Sequence, residues 1–345
     1  MTSQLHDQML NAGARISDGV IRDFGSPAEE LAAAMHGNIV SPLSLAAMHV
    51  AGDDAAALLG GQLTADIKAL SGTQSCIAAW CTPQGRALTI VRVLRHGDGF
   101  LLLLPSELAE VTIKRLRMYV LRAKVTIEDA SVNFACLGVS GQNALAALAA
   151  DLPLQTTAGA RVSLDDLAII RLPDARPRLL LVGPPSALAN LWSRMTTVAR
   201  AAGAAAWDWL DITAALPQIF ASTRERFVPL ALNLDALGGI SFNKGCYTGQ
   251  EIIARMKYRG QLKQRMHIGR IENANVPAPG TRLAVRDAEM SAGEIVQSTV
   301  DTGGGTIFTA TVLTELVGTD RVHVESATGP RIQWLPLPYQ LGQPE

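Results

Sequence analysis

Apolar runs of strand length alternate with amphipathic stretches through the first two thirds of the chain, and strand-length runs alone fill the rest. Positions 44–50 have strand character and stop at Ala51-Gly52-Asp53-Asp54. The next run, 55–59, has the helical habit, with Asp53 or Asp54 placed to cap it. Apolar runs at 75–80 and 87–94 flank Cys81-Thr82-Pro83-Gln84-Gly85-Arg86, which reads as a turn, so the pair predicts a hairpin. A further strand is predicted over 100–104. Across 107–121, Leu108, Val111, Ile113, Leu116 and Val120 line one side of a helix. The alternation then returns, with strands predicted at 124–129, 133–139 and 178–182 and helices at 141–150 and 185–201.

These runs group into units. Residues 41–130 and 131–250 read as two related α+β domains whose segments can interleave. Residues 1–40 read as an N-terminal extension with a helical stretch near 27–35. Beyond 261 the pattern changes: runs at 266–271, 282–285, 290–297, 307–313 and 321–324 are separated by Gly, Pro, Asn and Asp. That spacing predicts a small β-barrel or sandwich over 261–345. The expected fold class is α+β, with two mixed units and a C-terminal β domain.

Composition sets outer limits. A chain of 345 residues, 48% hydrophobic and 18% charged, fits a globular protein of two or three domains. Its formal charge of -1 gives no reason to expect sequence-independent nucleic-acid binding. Cys76, Cys81, Cys136 and Cys246 form no CxxC pair and have no His at ligand spacing, which argues against a structural zinc or self-contained iron–sulfur site. Packing cysteines in a reduced, cytoplasmic protein are the simplest reading. Charged residues interrupt the first 24 positions, so no secretory signal is read there. The 100–104 run is far short of a membrane span.

The densest chemistry lies at Gly238-Gly239-Ile240-Ser241-Phe242-Asn243-Lys244-Gly245-Cys246-Tyr247-Thr248-Gly249-Gln250-Glu251. Gly245 and Gly249 frame it, as expected where backbone is held at positive φ or closely approached. In extended chain Lys244 and Cys246 project to one face, where the ammonium would favour the thiolate. A tight turn carrying a half-buried thiol accounts for the same residues. No His lies in the stretch, and a Cys–His nucleophile would need one. Gln250 and Glu251 can hydrogen-bond a flat polar heterocycle, or simply begin a helix. Arg255, Lys257, Tyr258, Arg259, Lys263 and Arg265 could receive a polyanionic tail or form a solvated basic face. Gly303-Gly304-Gly305 has no following Lys or helix and reads as a turn.

The run from Lys244 to Glu251, preceded by Asn233-Leu234-Asp235 and Gly239-Ile240-Ser241-Phe242, resembles the signature of YgfZ-type folate-binding proteins. That group shares a superfamily with the glycine-cleavage aminomethyltransferase and with mitochondrial iron–sulfur assembly factors. The likeness runs over roughly residues 40 to 340, through Pro217, Pro229, Tyr258-Arg259-Gly260 and Leu337-Pro338-Tyr339. Gly52-Asp53, Gln62-Leu63-Thr64-Ala65-Asp66 and Gly85-Arg86 fall where the family places similar residues.

The resemblance implies a three-domain cloverleaf, two ferredoxin-like units plus a C-terminal barrel, around a central hole that takes tetrahydrofolate. It implies a monomeric accessory protein for assembly or maintenance of iron–sulfur enzymes, including one that thiomethylates tRNA. Its expected partners are folate and iron–sulfur enzymes or assembly proteins, with neither nucleic acid nor membrane bound directly. Cys246 and Lys244 become the functional centre, and Asp66, Phe242, Tyr247, Gln250, Glu251, Arg255, Tyr258 and Arg259 the cofactor-binding set. The aminomethyltransferase pattern has an acidic residue after the hairpin glycine, where Ala87 to Val91 offer no carboxylate. It also has a pterin-clamping Glu where Thr213 stands. Both departures argue against one-carbon transfer as in glycine cleavage, leaving an aminomethyltransferase or demethylase, or a partner-binding scaffold, as the alternative roles.

Overall fold

The computed structural model describes residues 4–149, 157–164, 166–174, 176–259, 262–272, 275–286 and 288–342. Gly260 of the quoted motif, Ala150 at the end of a predicted helix, residue 261 and the extreme termini lie outside them.

The predicted hairpin starts the first sheet. Ser75–Cys81 and Ala87–His96 pair antiparallel across a tight turn with Gly85 at φ 71°. Gly99–Pro105, Leu45–Ala51 and Thr126–Asp129 complete five antiparallel strands in that order. Leucines dominate its centre: Phe100 to Leu104 are each 1–2% exposed, because both faces of the strand are covered. The helix Ala109–Arg117 covers one face through Ile113 and Leu116. It stops short of the predicted 121, where Leu121 adopts φ 45° in solvent.

The second sheet runs Arg161–Leu164, Leu167–Arg171, Arg178–Gly183, Ala135–Ser140, Ile39–Pro42, Arg200–Ala201. Its neighbours are antiparallel except the last pair. Ile39–Pro42 precedes the whole first sheet in sequence, so the two units are threaded through each other. The N-terminal segment packs on this second unit. Leu5 and Met9 of the helix Gln4–Asn11 enter the core around Trp192 of Pro185–Met195. Pro27–His36 starts at Pro27 with Glu29 and Glu30 in its first turn, as a helix start should. Glu30 is 2% exposed and accepts from the backbone N–H groups of Phe24, Ser26 and Gly203. That carboxylate fastens the N-terminal segment to the start of the helix Ala204–Thr213.

In the C-terminal region six antiparallel strands follow the order Val322–Val324, Arg282–Val285, Ala288–Val300, Thr306–Leu313, Gln264–Ile271, Gln333–Leu335. The 13-residue strand Ala288–Val300 carries register shifts against both neighbours, which bends the sheet into a half-barrel. Buried polar contacts lock it to the second unit: Trp209 Nε1 donates to Asp301 Oδ1 at 2.9 Å, and Gln297 Nε2 to the Leu216 carbonyl at 2.8 Å. Arg265 forks onto both oxygens of Asp235, and Asn233 Nδ2 reaches the Met266 carbonyl at 2.7 Å.

Candidate functional site

The first and second sheets turn apolar faces toward each other and line a half-open cavity of about 120 Å³. Leu43, Ile77, Ile90, Leu104, Leu172 and Leu180 supply its apolar walls. Arg92, Trp207, Asp211 and Gln218 bring polar groups to it. Trp207 can lie against the second sheet because position 138 is glycine. A Cβ there would stand 2.3–2.6 Å from its ring atoms.

Beside the cavity, Arg178 is wholly buried and forms ion pairs with Asp174 and Asp211, both at 2.7 Å. Its guanidinium lies 5.3 Å from the centre of the Trp207 ring. Burial pushes the Asp211 carboxyl upward, and Arg178 first, then Arg92, pulls it back. Arg92 Nη1 donates to Ser75 Oγ at 3.3 Å. A narrow apolar slot edged by one carboxylate and one guanidinium suits a flat heteroaromatic ring with donors and acceptors on its rim.

The signature stretch attaches to this cavity through the outer strand. Thr64 Oγ1 donates to the Gly239 carbonyl at 2.6 Å and accepts from Ala79 N–H at 2.8 Å. Ile77 of the cavity wall packs so closely on Gly239 that a Cβ there would sit 3.2 Å from it. Gly249 takes φ 86° as the residue before the helix Gln250–Tyr258, and a Cβ on it would meet the Thr82 carbonyl at 2.6 Å. Glycine is therefore required at 249 both for conformation and for space. Gly245 is different: it has open space around it and no positive φ, so neither constraint fixes it.

Lys244 does not turn toward Cys246. Its ammonium donates to the carbonyls of Gly60 (2.7 Å), Leu63 (2.6 Å) and Ala65 (2.9 Å), and lies 4.7 Å from the Tyr247 ring centre. Gly60 and Leu63 are the last turn and C-cap of the helix Ala55–Gln62, a position that favours a cation, and Ala65 follows just beyond it. Burial lowers the Lys244 pKa to about 8, with Asp66 and then Cys76 opposing the drop. The backbone at 241–246 is not a strand, so the same-face spacing expected for extended chain does not apply.

The other expected residues divide into two groups. Gln250 Oε1 accepts from Tyr247 N–H at 3.3 Å and Asp66 Oδ1 from Lys68 N–H at 3.1 Å, so both shape backbone. Glu251, Arg255, Tyr258 and Arg259 are exposed on the helix, with Glu251 and Arg255 paired at 2.8 Å. Tyr258 meets Phe242 edge to face at 5.8 Å, and Lys257 caps the Phe242 ring at 4.2 Å. Tyr247 is buried with its hydroxyl unpartnered among the described residues. None of these ten side chains lines the inter-sheet cavity. Arg92, Arg178, Trp207 and Asp211 do line or brace it, and of these Arg92 alone carries a sequence signal, a charge inside the apolar run Ile90-Val91-Arg92-Val93-Leu94.

The four thiols are unequal. Cys246 is exposed, Cys81 and Cys136 are buried and Cys76 is half-buried. Burial pushes Cys76 up to about 11 and Cys81 and Cys136 up to about 12. Iodoacetamide near neutral pH is therefore expected to add a single label to the folded protein, at Cys246, and four in urea, since thiolate and access both limit alkylation. Peptide mass mapping checks this; rapid native labelling of Cys76 would contradict the packing. Among the described residues, no cluster of three or more His, Cys, Asp or Glu could hold a metal ion. Nor is any helix there long and apolar enough to cross a membrane.

The whole chain shares its fold with the glycine cleavage system aminomethyltransferase T of Bartonella henselae. The TM-score is 0.76 over 97% of this chain and 96% of that one, at 15% identity. The class is thus an α+β protein of aminomethyltransferase fold. No family model matches the sequence. Curated relatives are more specific. The tRNA-modifying protein YgfZ of Edwardsiella ictaluri is 32% identical over 303 residues, covering 86% of this chain and 91% of that protein. Its counterpart in Cronobacter sakazakii is 33% identical over 307 residues, with 85% and 90% covered. The chain belongs to the YgfZ family of tRNA-modifying proteins.

Proposed function

We propose that this chain is a tetrahydrofolate-binding accessory protein for assembly or maintenance of iron–sulfur enzymes, among them one that thiomethylates tRNA. The observation that carries the folate half of this reading is the inter-sheet cavity, the hole of the cloverleaf in this reading. Its apolar walls accept a flat ring, and the presence of both Asp211 and Arg92 on its lining suits the donor-rich and acceptor-rich edges of a pterin. Those residues fit the group: Asp211 would take the amino-pyrimidine edge, held in place by Arg178, with Ile77, Ile90 and Trp207 against the ring faces. Bound tetrahydrofolate supplies a one-carbon acceptor or donor.

Cys246 supplies a solvent-facing thiol for work on a partner protein. One thiolate cannot hold a cluster alone, so any cluster it touches is shared with an iron–sulfur enzyme or assembly protein. The protein acts in the cytoplasm as a monomer, and contacts tRNA only through its client enzyme. An aminomethyltransferase or demethylase would need a free carboxylate at the reacting amine. Ala87 to Val91 offer none after the hairpin glycine, and Asp211 is the pterin's partner in this reading.

Calorimetric titration with tetrahydrofolate tests the first half. Wild-type protein is expected to bind and Asp211→Ala to bind about 10-fold or more weakly; no heat from wild type removes folate from the function. Complementation of a deletion strain tests the second. Cys246→Ala is expected to leave the iron–sulfur enzyme inactive, and full restoration would remove the thiol from the mechanism.

A further inference from the structure

The chain leaves the helix Ala109–Arg117 through a tight turn that holds Leu121 at φ 45° and 89% exposed. Leucine is disfavoured there on both counts. Its Cβ crowds the backbone in the left-handed region, and its side chain loses by facing water. Gly or Asn would serve a turn alone. Yet the turn is fixed on every side. Arg117 donates through Nε at 2.9 Å and Nη2 at 2.6 Å to the Ile127 carbonyl. Ala123 N–H donates to the Val120 carbonyl at 2.7 Å, and Lys124 N–H to Asp54 Oδ2 at 2.8 Å. Tyr119 turns inward and meets the buried Trp80 edge to face at 6.2 Å. Strain held this firmly at a surface points to use.

Val111, Lys114 and Met118 follow at helical spacing on the outer side of the same helix, away from the buried Ile113 and Leu116. Met118 is 66% exposed, so with Leu121 it forms an apolar knuckle. Its surroundings are basic: positions 109–124 hold five Lys or Arg and one Glu, in a chain of formal charge -1. Arg115 pairs with Glu225, Lys124 with Asp53, and Arg117 is spent on Ile127. Lys114 and Arg122 are left exposed for an outside partner. A second copy of the chain fits poorly, because a two-fold contact would set these cations against themselves. A bare polyanion fits poorly too. Exposed Glu110, Glu128 and Asp129 on the helix and on the adjoining strand Thr126–Asp129 would oppose it, and with Tyr119 turned inward the knuckle offers no ring for base stacking. An aliphatic centre rimmed by charges of both signs is the anatomy of a protein–protein contact.

Building on the reading of Cys246 as a thiol that works on a partner protein, we infer that this knuckle docks that partner. Met118 and Leu121 enter an apolar pocket of the partner, and Lys114 and Arg122 meet carboxylates on the pocket's rim. A buried relay ties the knuckle to the signature stretch. Trp80, under Tyr119, donates through Nε1 to Gln62 Oε1 at 3.1 Å, and Thr248 Oγ1, two residues from Cys246, donates to the same oxygen at 3.5 Å. The first unit thereby holds the docking knuckle and the thiol in fixed relation.

Biolayer interferometry with the purified tRNA-thiomethylating iron–sulfur enzyme decides it. Wild type is expected to bind, more tightly at low salt than at high. Leu121→Gly and Met118→Ser should each weaken binding about 10-fold or more, and Arg122→Glu should weaken it and flatten the salt dependence. Glycine takes positive φ freely, so Leu121→Gly should keep its urea midpoint close to that of wild type, which separates lost docking from lost fold. Met290→Ser removes a half-exposed apolar side chain from the C-terminal strand Ala288–Val300 and should bind as wild type does. Full affinity in both Leu121→Gly and Met118→Ser, or an equal loss in Met290→Ser, overturns the inference and leaves the role of Cys246 intact. Binding of bare tRNA or of anionic phospholipid vesicles that Leu121→Gly and Met118→Ser abolish overturns it in favour of that polyanion. No binding of the enzyme to wild type removes the partner-protein reading, and this inference with it.

Discussion

Arg178→Met is expected to lower the free energy of unfolding by about 3–5 kcal/mol, a large part of the margin of a domain this size. Arg178 has no exposed surface, and two carboxylates, Asp174 and Asp211, lean on it at 2.7 Å. Methionine matches the apolar stem but leaves both acids in a poor dielectric without a counter-charge. Much of the cost comes from these orphaned acids, so Arg178→Met with Asp174→Asn and Asp211→Asn should recover a substantial part of it. Arg178→Lys should rescue poorly, because one ammonium cannot span two carboxylates as a guanidinium fork does. Urea unfolding of the set reads the result. A loss below about 1 kcal/mol for Arg178→Met would mean that Asp174 and Asp211 find water or other partners, and that Asp211 is not held for a ligand by Arg178.

That cluster also marks the limit of what the sequence made legible. Strands with uniform or alternating apolar character, such as 75–80, 87–94, 100–104 and 307–313, were visible because each buries one or both faces and carries few polar residues. Ile39–Pro42 and Leu167–Arg171 were not: the first has four residues, and its partner, Ala135–Ser140, lies far along the chain. The helix predicted over 185–201 ends at Met195, because Arg200–Ala201 leaves to add a parallel edge beside Ile39–Pro42. Neither contact is encoded in local periodicity.

The site followed the same rule. The Lys-Gly-Cys-Tyr stretch announced itself through rare residue types, and the aminomethyltransferase fold and YgfZ family it implied are what the chain has. Asp211 and Arg178 are 33 residues apart and meet only when the helix Ala204–Thr213 crosses the second sheet. In the sequence, Arg178 reads as an ordinary charge at the start of a strand. Thr213, at the position the resemblance gives to a pterin-clamping Glu, bonds the Leu210 carbonyl of its own helix. In the proposed folate reading that role passes to Asp211, two residues earlier.

Lys244→Met should show how the signature lysine acts, and its pH dependence carries the information. At pH 7 the variant is expected to lose about 2 kcal/mol, since three carbonyls at and just past the end of the helix Ala55–Gln62 lose their shared donor. The folded pKa of Lys244, about 8, lies below its ordinary value of 10.5 because burial penalises the ammonium. Below pH 8 the lysine is charged in both states and the fold carries that penalty in full. Between about 8 and 10.5 the unfolded chain binds more protons than the folded one, so this group's contribution rises with pH. The stability gap between wild type and Lys244→Met should therefore be flat up to about pH 8 and widen above it. Partial exposure of Lys244 screens the increase to on the order of 1 kcal/mol by about pH 10. Urea titrations of both proteins across that range measure it. A gap that narrows above pH 8 would mean the ammonium is favoured in the fold, as it would be if an anion such as the Cys246 thiolate stood beside it. Lys244 would then be a charge partner of the thiol. A widening gap makes it the clasp that holds the signature stretch against the first unit, with Cys246 presented to solvent at its tip.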